Sequence, residues 1–393
     1  MRIILSAAAL IIAAGTASAN VSVQCGGSFS NFTAKMIDAA VAKGHDREDA
    51  QRFFASVRHD PATIKADRAQ GIFQKTFTEF SRQLISQNRM DHGRRNLQRH
   101  KAIFDRMERQ YGVSRGVLTA FWAFETDYGG YQGNFNTLNS LMTLSHDCRR
   151  PELFQPQVFA ALELFERGDF DPATSTGAWA GEIGMVQMLP GDIIEAGVDG
   201  DGDGVVDLRR SPADALLSGA NMLKRLGWRA GEPWLQEVVV PDNLDWSKTG
   251  LDTTMKVSQW AKLGVKARSG NLGAGNLNAS ILLPQGRKGP AFIAYPNYRV
   301  YFEWNQSFVY VTTAAYFATR LEGAPVFDAG NPEAGLSGAQ MKQLQQKLQA
   351  RGHNVGKIDG ILGARTRAAV QKEQARLGLP ADAWPTAALL NAL

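Results

Sequence analysis

Most of this sequence has helical periodicity, but one region does not. This interruption limits the folds that the chain can adopt. Apolar residues recur at intervals of three and four over residues 29–40. Between about 235 and 310, glycine-rich turns separate short β-like runs such as 281–283 and 298–302. A helical pattern returns over Phe308–Leu321. The sequence predicts a mainly α (α+β) fold, in which a small β-rich insertion interrupts a helical domain.

The net charge of +5 is concentrated in the tail. Residues 331–393 contain eight basic and four acidic residues, whereas residues 20–330 contain equal numbers of each. A charge confined to a short tail does not indicate a nucleic-acid-binding protein, so no nucleic-acid partner is expected. The 393 residues exceed one ordinary domain, and the segment 323–336, rich in Gly and Pro, predicts a linker before that tail.

The first 19 residues have the three parts of a secretory signal peptide. Arg2 supplies a positive charge, an apolar run follows over 3–14, and Ala17 and Ala19 form a small-residue cleavage site. The run is shorter than the ~20 residues that span a bilayer, which disfavours an uncleaved anchor. The residue directly after the cleavage site is Asn20 and not a cysteine, and no later stretch has transmembrane length. We therefore expect an exported protein that is neither a lipoprotein nor membrane-spanning.

Cys25 and Cys148 are the two cysteines of the chain. Two thiols in an oxidising compartment most often pair, so the sequence predicts a disulfide between them. Two separate buried thiols are the alternative.

A carboxylate ends the most apolar helical segment. Ser114 is a suitable N-cap, and the helix that follows includes Phe121, Trp122 and Phe124 directly before Glu125. Burial among such side chains disfavours the ionised form and raises the pKa of the carboxyl group. An acid that keeps its proton near neutral pH can protonate a glycosidic oxygen. Glu125 is therefore a candidate general acid, although a glutamate that caps or pairs at a helix end produces the same pattern.

Three further blocks stand out in the sequence: Phe-Trp-Ala-Phe-Glu-Thr-Asp-Tyr-Gly at 121–129, Gly-Ala-Trp-Ala-Gly-Glu-Ile-Gly-Met-Val-Gln-Met-Leu-Pro at 177–190 and Trp-Asn-Gln-Ser-Phe-Val-Tyr at 304–310. In this order they resemble the membrane-bound lytic transglycosylase B family over about residues 25–322. The resemblance implies a lysozyme-like helical catalytic domain with Glu125 as the single catalytic acid and base.

The resemblance also implies a sugar-binding groove. Gln187, Asn305 and Tyr310 match groove positions, and Trp304 keeps an aromatic platform where a tyrosine is often found. Tyr295 is a further aromatic candidate for stacking on a sugar.

Two residues depart from the second block of the family. Ala178 stands where many members have a serine that orients the catalytic carboxylate, and Glu182 replaces a small residue.

The implied reaction cuts peptidoglycan without water and without a catalytic cofactor. Glu125 would protonate the glycosidic oxygen after N-acetylmuramic acid and then take the proton of the C6 hydroxyl, which leaves a 1,6-anhydromuramoyl end. A hydrolytic muramidase needs a second carboxylate, for which Asp127 is close in sequence. A catalytically silent protein that binds or scaffolds peptidoglycan is the remaining alternative.

Residues 199–207 match the first nine positions of an EF-hand-like calcium loop. Arg210 stands at position 12, where a glutamate is usual, and the resemblance implies that a later aspartate closes the loop. The predicted ligands are Asp199, Asp201, Asp203, the carbonyl of Val205, Asp207 and Asp214. We expect a structural Ca²⁺, with a solvated acidic turn as the alternative.

Residues 337–393 resemble a small peptidoglycan-binding domain of the three-helix type, through Leu344, Asp359-Gly360, Thr366-Arg367 and Gln374. The basic charge of this segment suits the carboxylates of peptide stems. We expect a periplasmic monomer whose partner is peptidoglycan. Its predicted parts are a signal peptide (1–19), a catalytic domain (20–322), a linker (323–336) and the binding domain (337–393).

Overall fold

The computed structural model describes residues 22–69 and 75–393, so the predicted signal peptide lies outside the described residues. Helices dominate the part before the insertion. They are α1 (Phe29–Ala42), α2 (Arg47–Phe54), α3 (Pro61–Arg68), α4 (Phe77–Leu84), α5 (Gln87–Arg99), α6 (Lys101–Tyr111), α7 (Arg115–Thr126), α8 (Thr137–His146), α9 (Pro151–Arg167), α10 (Pro190–Ala196) and α11 (Pro212–Arg225). A short antiparallel pair, β1 (Phe135–Asn136) and β2 (Thr176–Gly177), lies among them.

The predicted insertion is a five-stranded antiparallel sheet. Its elements are β3 (Leu235–Val239), a 3-10 helix (Trp246–Lys248), β4 (Met255–Lys256), α12 (Val257–Lys262), β5 (Lys266–Ala267), β6 (Asn278–Leu282) and β7 (Phe292–Ala294). The strand order is β4-β6-β7-β3-β5. In this register Ala294 is opposite both Leu235 and Ser280. The sheet has its own buried cluster, which includes Trp260 and Ile281.

The remaining helices follow the sheet. They are α13 (Pro296–Trp304), α14 (Phe308–Leu321), α15 (Gly338–Ala350), α16 (Ala364–Arg376) and α17 (Ala387–Ala392). The expectation of a β-like run at 298–302 is wrong, because these residues form the middle of α13. Pro296 starts this helix, and Tyr298 and Tyr301 are three residues apart and both buried on its inner face.

The core of the catalytic domain forms where α7 packs against α14. Phe124 and Phe317 stack with ring centroids 5.2 Å apart, and Phe121 is fully buried. This packing brings the end of α7 close to the beginning of α14. The mainly α (α+β) prediction is confirmed, and α15, α16 and α17 form the three-helix C-terminal domain.

The predicted linker is held against the catalytic domain. Phe327 is buried beside Phe77 and Tyr316, with centroid distances of 5.2 and 5.0 Å. Further along, the Trp384 indole N–H donates to the Glu333 carbonyl at 2.9 Å. The segment between α14 and α15 is therefore an ordered strap.

The C-terminal domain docks on the catalytic domain through a buried arginine. The Arg367 guanidinium lies 4.4 Å from the Phe308 ring centroid and 5.9 Å from that of Trp384. It also donates to the Pro284 carbonyl at 2.7 Å. Arg287 pairs with the buried Asp382 of the C-terminal domain at 3.4 Å. These contacts join three parts of the chain: the sheet, α14 and the C-terminal domain.

Cys25 and Cys148 form a disulfide that links residues 123 positions apart. Within the described residues, every helix is too short or too polar to cross a bilayer.

Candidate active site

The position of Glu125 depends on how α7 ends. Asp127 has a left-handed conformation with φ of 50°, which stops the helix after Thr126. The Thr126 hydroxyl donates to the Met185 carbonyl at 2.6 Å and accepts from the Gly129 N–H at 2.9 Å. These bonds tie the residue after Glu125 to the loop that carries the second sequence block.

Two donors from the third sequence block hold one oxygen of Glu125. The Tyr310 hydroxyl and the Trp304 indole N–H both donate to Oε1, the latter at 3.1 Å. The Trp304 ring is itself stacked on Phe121, with centroids 4.2 Å apart and planes 20° apart. Oε2 has no hydrogen-bond partner among the described residues, so one carboxyl oxygen is fixed and the other is left for a substrate atom.

Burial raises the pKa of Glu125 to about 7. The hydrogen bonds from Tyr310 and Trp304 oppose this rise because they stabilise the carboxylate, and the nearby Glu182 adds to it by charge repulsion. A carboxyl group with this pKa exists in both forms near neutral pH. It can therefore donate a proton in one step and accept one in the next.

Glu182 is a second carboxyl group of this site, at a position where the sequence departs from the family and offers a further candidate for proton transfer. Its loop is closed by a bond from the Ala178 N–H to the Glu182 carbonyl at 2.9 Å and by the pairing of Ile183 with Met188. Burial raises the pKa of Glu182, and its Oε2 is buried with no hydrogen-bond partner in the described part of the chain. The signal for Glu182 in the sequence is an acidic residue at a position of the second block where the family has a small one.

Gln187 and Asn305 shape the backbone around Glu125. The Gln187 side chain donates to the Gly184 carbonyl at 2.7 Å, in the loop tied to α7 by Thr126. Asn305 Oδ1 accepts from the Ser307 N–H at 2.9 Å, at the turn between α13 and α14. Neither side chain hydrogen-bonds Glu125, so their predicted contact with sugar stays a prediction.

The prediction that Tyr295 stacks on a sugar is wrong. The Tyr295 ring is 1% exposed, inside the core of the β-rich insertion. Its hydroxyl accepts from the Gly273 N–H at 2.9 Å and donates to Gln236 Oε1 at 2.8 Å. Both the ring and the hydroxyl are occupied within the protein, which leaves no face for a ligand.

Removing the Tyr310 hydroxyl tests its hold on Glu125. In Tyr310→Phe we expect the pKa of Glu125 to rise further, because a bond that favours the carboxylate is lost. Activity that requires the protonated acid should then persist to higher pH, while kcat falls about tenfold as the carboxyl group loses one anchor. The measurement is kcat against pH on a soluble glycan. Tyr298→Phe is the matched control, because that buried hydroxyl pairs with Thr312; an unchanged alkaline limb in Tyr310→Phe would contradict the assignment.

The acidic loop brings three carboxylates together. One oxygen from each of Asp199, Asp201 and Asp203 lies within 4.8 Å of the others. Gly202 and Gly204 have φ of 82° and 93°, and their N–H groups donate to the two oxygens of Asp199 at 2.6 and 2.9 Å. An all-oxygen group of this kind is suited to a hard cation such as Ca²⁺.

Asp207 and Asp214 lie outside this group of three. Asp207 Oδ1 accepts from the Arg209 N–H at 2.9 Å. Asp214 is fully buried and accepts from the Gly200 N–H at 2.9 Å and the Asp207 N–H at 2.7 Å. Asp214 therefore holds the two ends of the loop together through the backbone, and its role as a direct ligand stays a prediction.

Comparisons with known proteins agree with this geometry. Residues 28–319 match the family model described as "Transglycosylase SLT domain", and residues 337–393 match "Putative peptidoglycan binding domain". The membrane-bound lytic murein transglycosylase B of Escherichia coli (strain K12) is 25% identical over 298 residues, which are 72% of this chain and 81% of that protein.

Solved structures extend the similarity. A crystal structure of SltB3 from Pseudomonas aeruginosa, in complex with NAG-anhNAM-pentapeptide, has a TM-score of 0.85 and 36% identity, and covers 93% of this chain and 99% of that one. The Escherichia coli lytic transglycosylase Slt35 in complex with calcium has a TM-score of 0.65 and 25% identity, with 76% and 96% covered.

The fold and the site together define a lytic murein transglycosylase, a class of peptidoglycan-cleaving lyases. The chain belongs to the transglycosylase SLT domain family, in its membrane-bound lytic transglycosylase B type, and has a C-terminal peptidoglycan-binding domain.

Proposed function

We propose that this enzyme cleaves the β-1,4 bond between N-acetylmuramic acid and N-acetylglucosamine with Glu125 as both acid and base. The observation that carries this proposal is the arrangement of Glu125, with Oε1 held by Tyr310 and Trp304 and a pKa raised to about 7. One carboxyl group with such a pKa serves both halves of a reaction that consumes no water.

The reaction divides into two proton transfers at Glu125. The protonated acid gives its proton to the glycosidic oxygen as the bond from that oxygen to C1 of N-acetylmuramic acid breaks, and the N-acetyl group of the same sugar assists at C1. The Glu125 carboxylate then takes the proton of the C6 hydroxyl, and O6 bonds to C1. The products are a 1,6-anhydromuramoyl end and a free N-acetylglucosamine end, with Glu125 protonated again.

Asp127 is a poor candidate for the second carboxylate of a hydrolase. It is exposed, and its Oδ1 pairs with Arg89 Nε at 3.0 Å. A hydrolase needs two carboxyl groups that flank the scissile bond, and an exposed group in an ion pair beyond the end of α7 does not meet that requirement.

Product masses distinguish the proposal from its alternatives. We expect mass spectrometry of digested sacculi to find anhydro ends, each lighter by one water than a reducing end. Reducing ends alone would identify a hydrolytic muramidase, and the absence of any glycan product would identify a silent binding protein.

We propose that the enzyme is exported to the periplasm by cleavage of residues 1–19 and acts there as a monomer on peptidoglycan. The disulfide between Cys25 and Cys148 supports an oxidising compartment. The NAG-anhNAM-pentapeptide complex of the similar Pseudomonas aeruginosa protein supports peptidoglycan as the partner.

We propose that the acidic loop binds a structural Ca²⁺ through Asp199, Asp201 and Asp203, with the Val205 carbonyl and Asp207 as further ligands. The convergence of three carboxylates supports it, as does the calcium complex of the similar Escherichia coli protein. Calcium added after chelation should raise the melting temperature by roughly 5 °C at saturating concentration. Magnesium, which demands stricter octahedral geometry, is the control; an identical melting temperature with and without calcium would refute the site.

A further inference from the structure

A cavity of about 530 Å³ lies between the catalytic domain and the C-terminal domain. One wall includes Gln306 and Phe308, which belong to the same short segment as the Glu125 partners Trp304 and Tyr310. The opposite wall is formed by α16 and by His353 and Asn354, which follow the end of α15. A cavity of this volume is in the range of ligand sites.

The wall formed by α16 has several features of an anion site. Gly363 is the N-cap of α16 and offers no side chain, so the first N–H groups of this 13-residue helix lack a side-chain cap. The next residues, Ala364 and Arg365, line the cavity. Arg367 also lines the cavity and is only 8% exposed. Its Nε has no hydrogen-bond partner among the described residues.

Cations and carboxylates face this space from both domains. Arg365 and Lys372 of the C-terminal domain and Arg299 of the catalytic domain are exposed and form no ion pair within residues 22–69 and 75–393. Asp252 and Glu303 line the catalytic side. Such a lining suits a ligand that carries several carboxylates together with an ammonium group.

We propose that this interdomain cavity binds the peptide stem of the peptidoglycan substrate. A peptide stem has the required chemistry, since it is short and bears several carboxylates and a free ammonium group. The uncapped end of α16, Arg365 and Lys372 bind carboxylates, and Glu303 binds the ammonium group. The C-terminal domain thereby determines substrate specificity beside the groove. This inference rests on the proposed glycan cleavage by Glu125.

The test compares two substrates, a glycan with intact peptide stems and the same glycan after an amidase has removed them. For the full chain we measure the ratio of kcat/KM on the first to kcat/KM on the second. In the double variant Arg365→Gln/Lys372→Gln this ratio should fall about fivefold, because two charge-assisted contacts to the peptide are lost. The matched control is Lys342→Gln/Lys357→Gln, which removes the same charge from the same domain outside the cavity; its ratio should stay at the wild-type value.

A direct measurement makes the proposal independent of turnover. Calorimetric titration of the full-length Glu125→Gln protein with a free stem pentapeptide should detect binding, which the double variant should abolish and the Lys342→Gln/Lys357→Gln control should retain. Equal ratios in the double variant and the wild type, or equal loss of binding in the control, would overturn the peptide site. Retained cleavage by Glu125→Gln would instead overturn the proposed function, so the two failures are distinguishable.

Discussion

Replacing Glu125 by glutamine is expected to lower kcat for peptidoglycan cleavage by at least about 10³-fold. An amide can neither protonate the glycosidic oxygen nor accept the C6 hydroxyl proton, so both steps lose their catalyst. The amide oxygen still accepts hydrogen bonds from Tyr310 and Trp304, which keeps the site assembled. Release of anhydro products from sacculi measures the loss, and an unchanged melting temperature shows that the fold is retained.

Asp127→Asn is the matched control for this substitution. It changes a carboxylate to an amide two residues away, and asparagine tolerates the left-handed backbone found there. The ion pair with Arg89 is exposed on the Asp127 side and contributes little. We expect this variant to retain activity near the wild-type level. A comparable loss of activity in both variants would contradict the assignment of Glu125 as the catalytic acid and base.

Replacing Asp214 by alanine is expected to lower the free energy of unfolding by about 3 kcal/mol or more. Asp214 is fully buried and accepts three hydrogen bonds, from the N–H groups of Gly200 and Asp207 and from the Ser211 hydroxyl at 2.9 Å. Without it, the N–H groups of Gly200 and Asp207 lose their acceptor, and the Ser211 hydroxyl keeps only Asp201 Oδ2. Urea unfolding in the presence of a chelator measures the loss without any contribution from calcium.

The variant Asp203→Ala distinguishes calcium binding by the loop from the structural support that Asp214 gives it. The Asp203 side chain is exposed and accepts from the Val205 N–H at 2.9 Å. Its removal should abolish the rise in melting temperature with calcium yet leave stability in the chelator nearly unchanged. If Asp214→Ala and Asp203→Ala were equally stable in the chelator, the supporting role of Asp214 would be wrong.

The sequence predicted the parts of the site that depend on local pattern. The apolar run before Glu125 indicated a buried acid with a raised pKa, and burial does raise that pKa. Tyr310 was indicated by the family resemblance of the third block, as a groove residue, and the structure adds that its hydroxyl donates to Glu125 Oε1. Local pattern was sufficient for Glu125 because this residue lies at the end of the apolar helix that buries it.

The predictions that failed depend on contacts between distant segments. Tyr295 looks like any aromatic residue near a glycine-rich turn, and only its pairing with Gln236 on the neighbouring strand shows that it belongs to a core. The run 298–302 is rich in β-favouring residues, but burial of two tyrosines on one helical face outweighs that preference. Likewise, the sequence alone does not indicate that Arg367 inserts between Phe308 and Trp384.

The ordered strap between the two domains also limits how the enzyme explores its insoluble substrate. A free chain of 14 residues would let a wall-bound module and its catalytic partner separate by roughly 20 Å. With Phe327 buried and Trp384 bonded to Glu333, that reach is absent, and both domains move as one body. We therefore do not expect the catalytic domain to reach several bonds while the C-terminal domain stays bound at one point. We expect each new bond to be reached by dissociation from peptidoglycan and rebinding, or by advance along the bound strand.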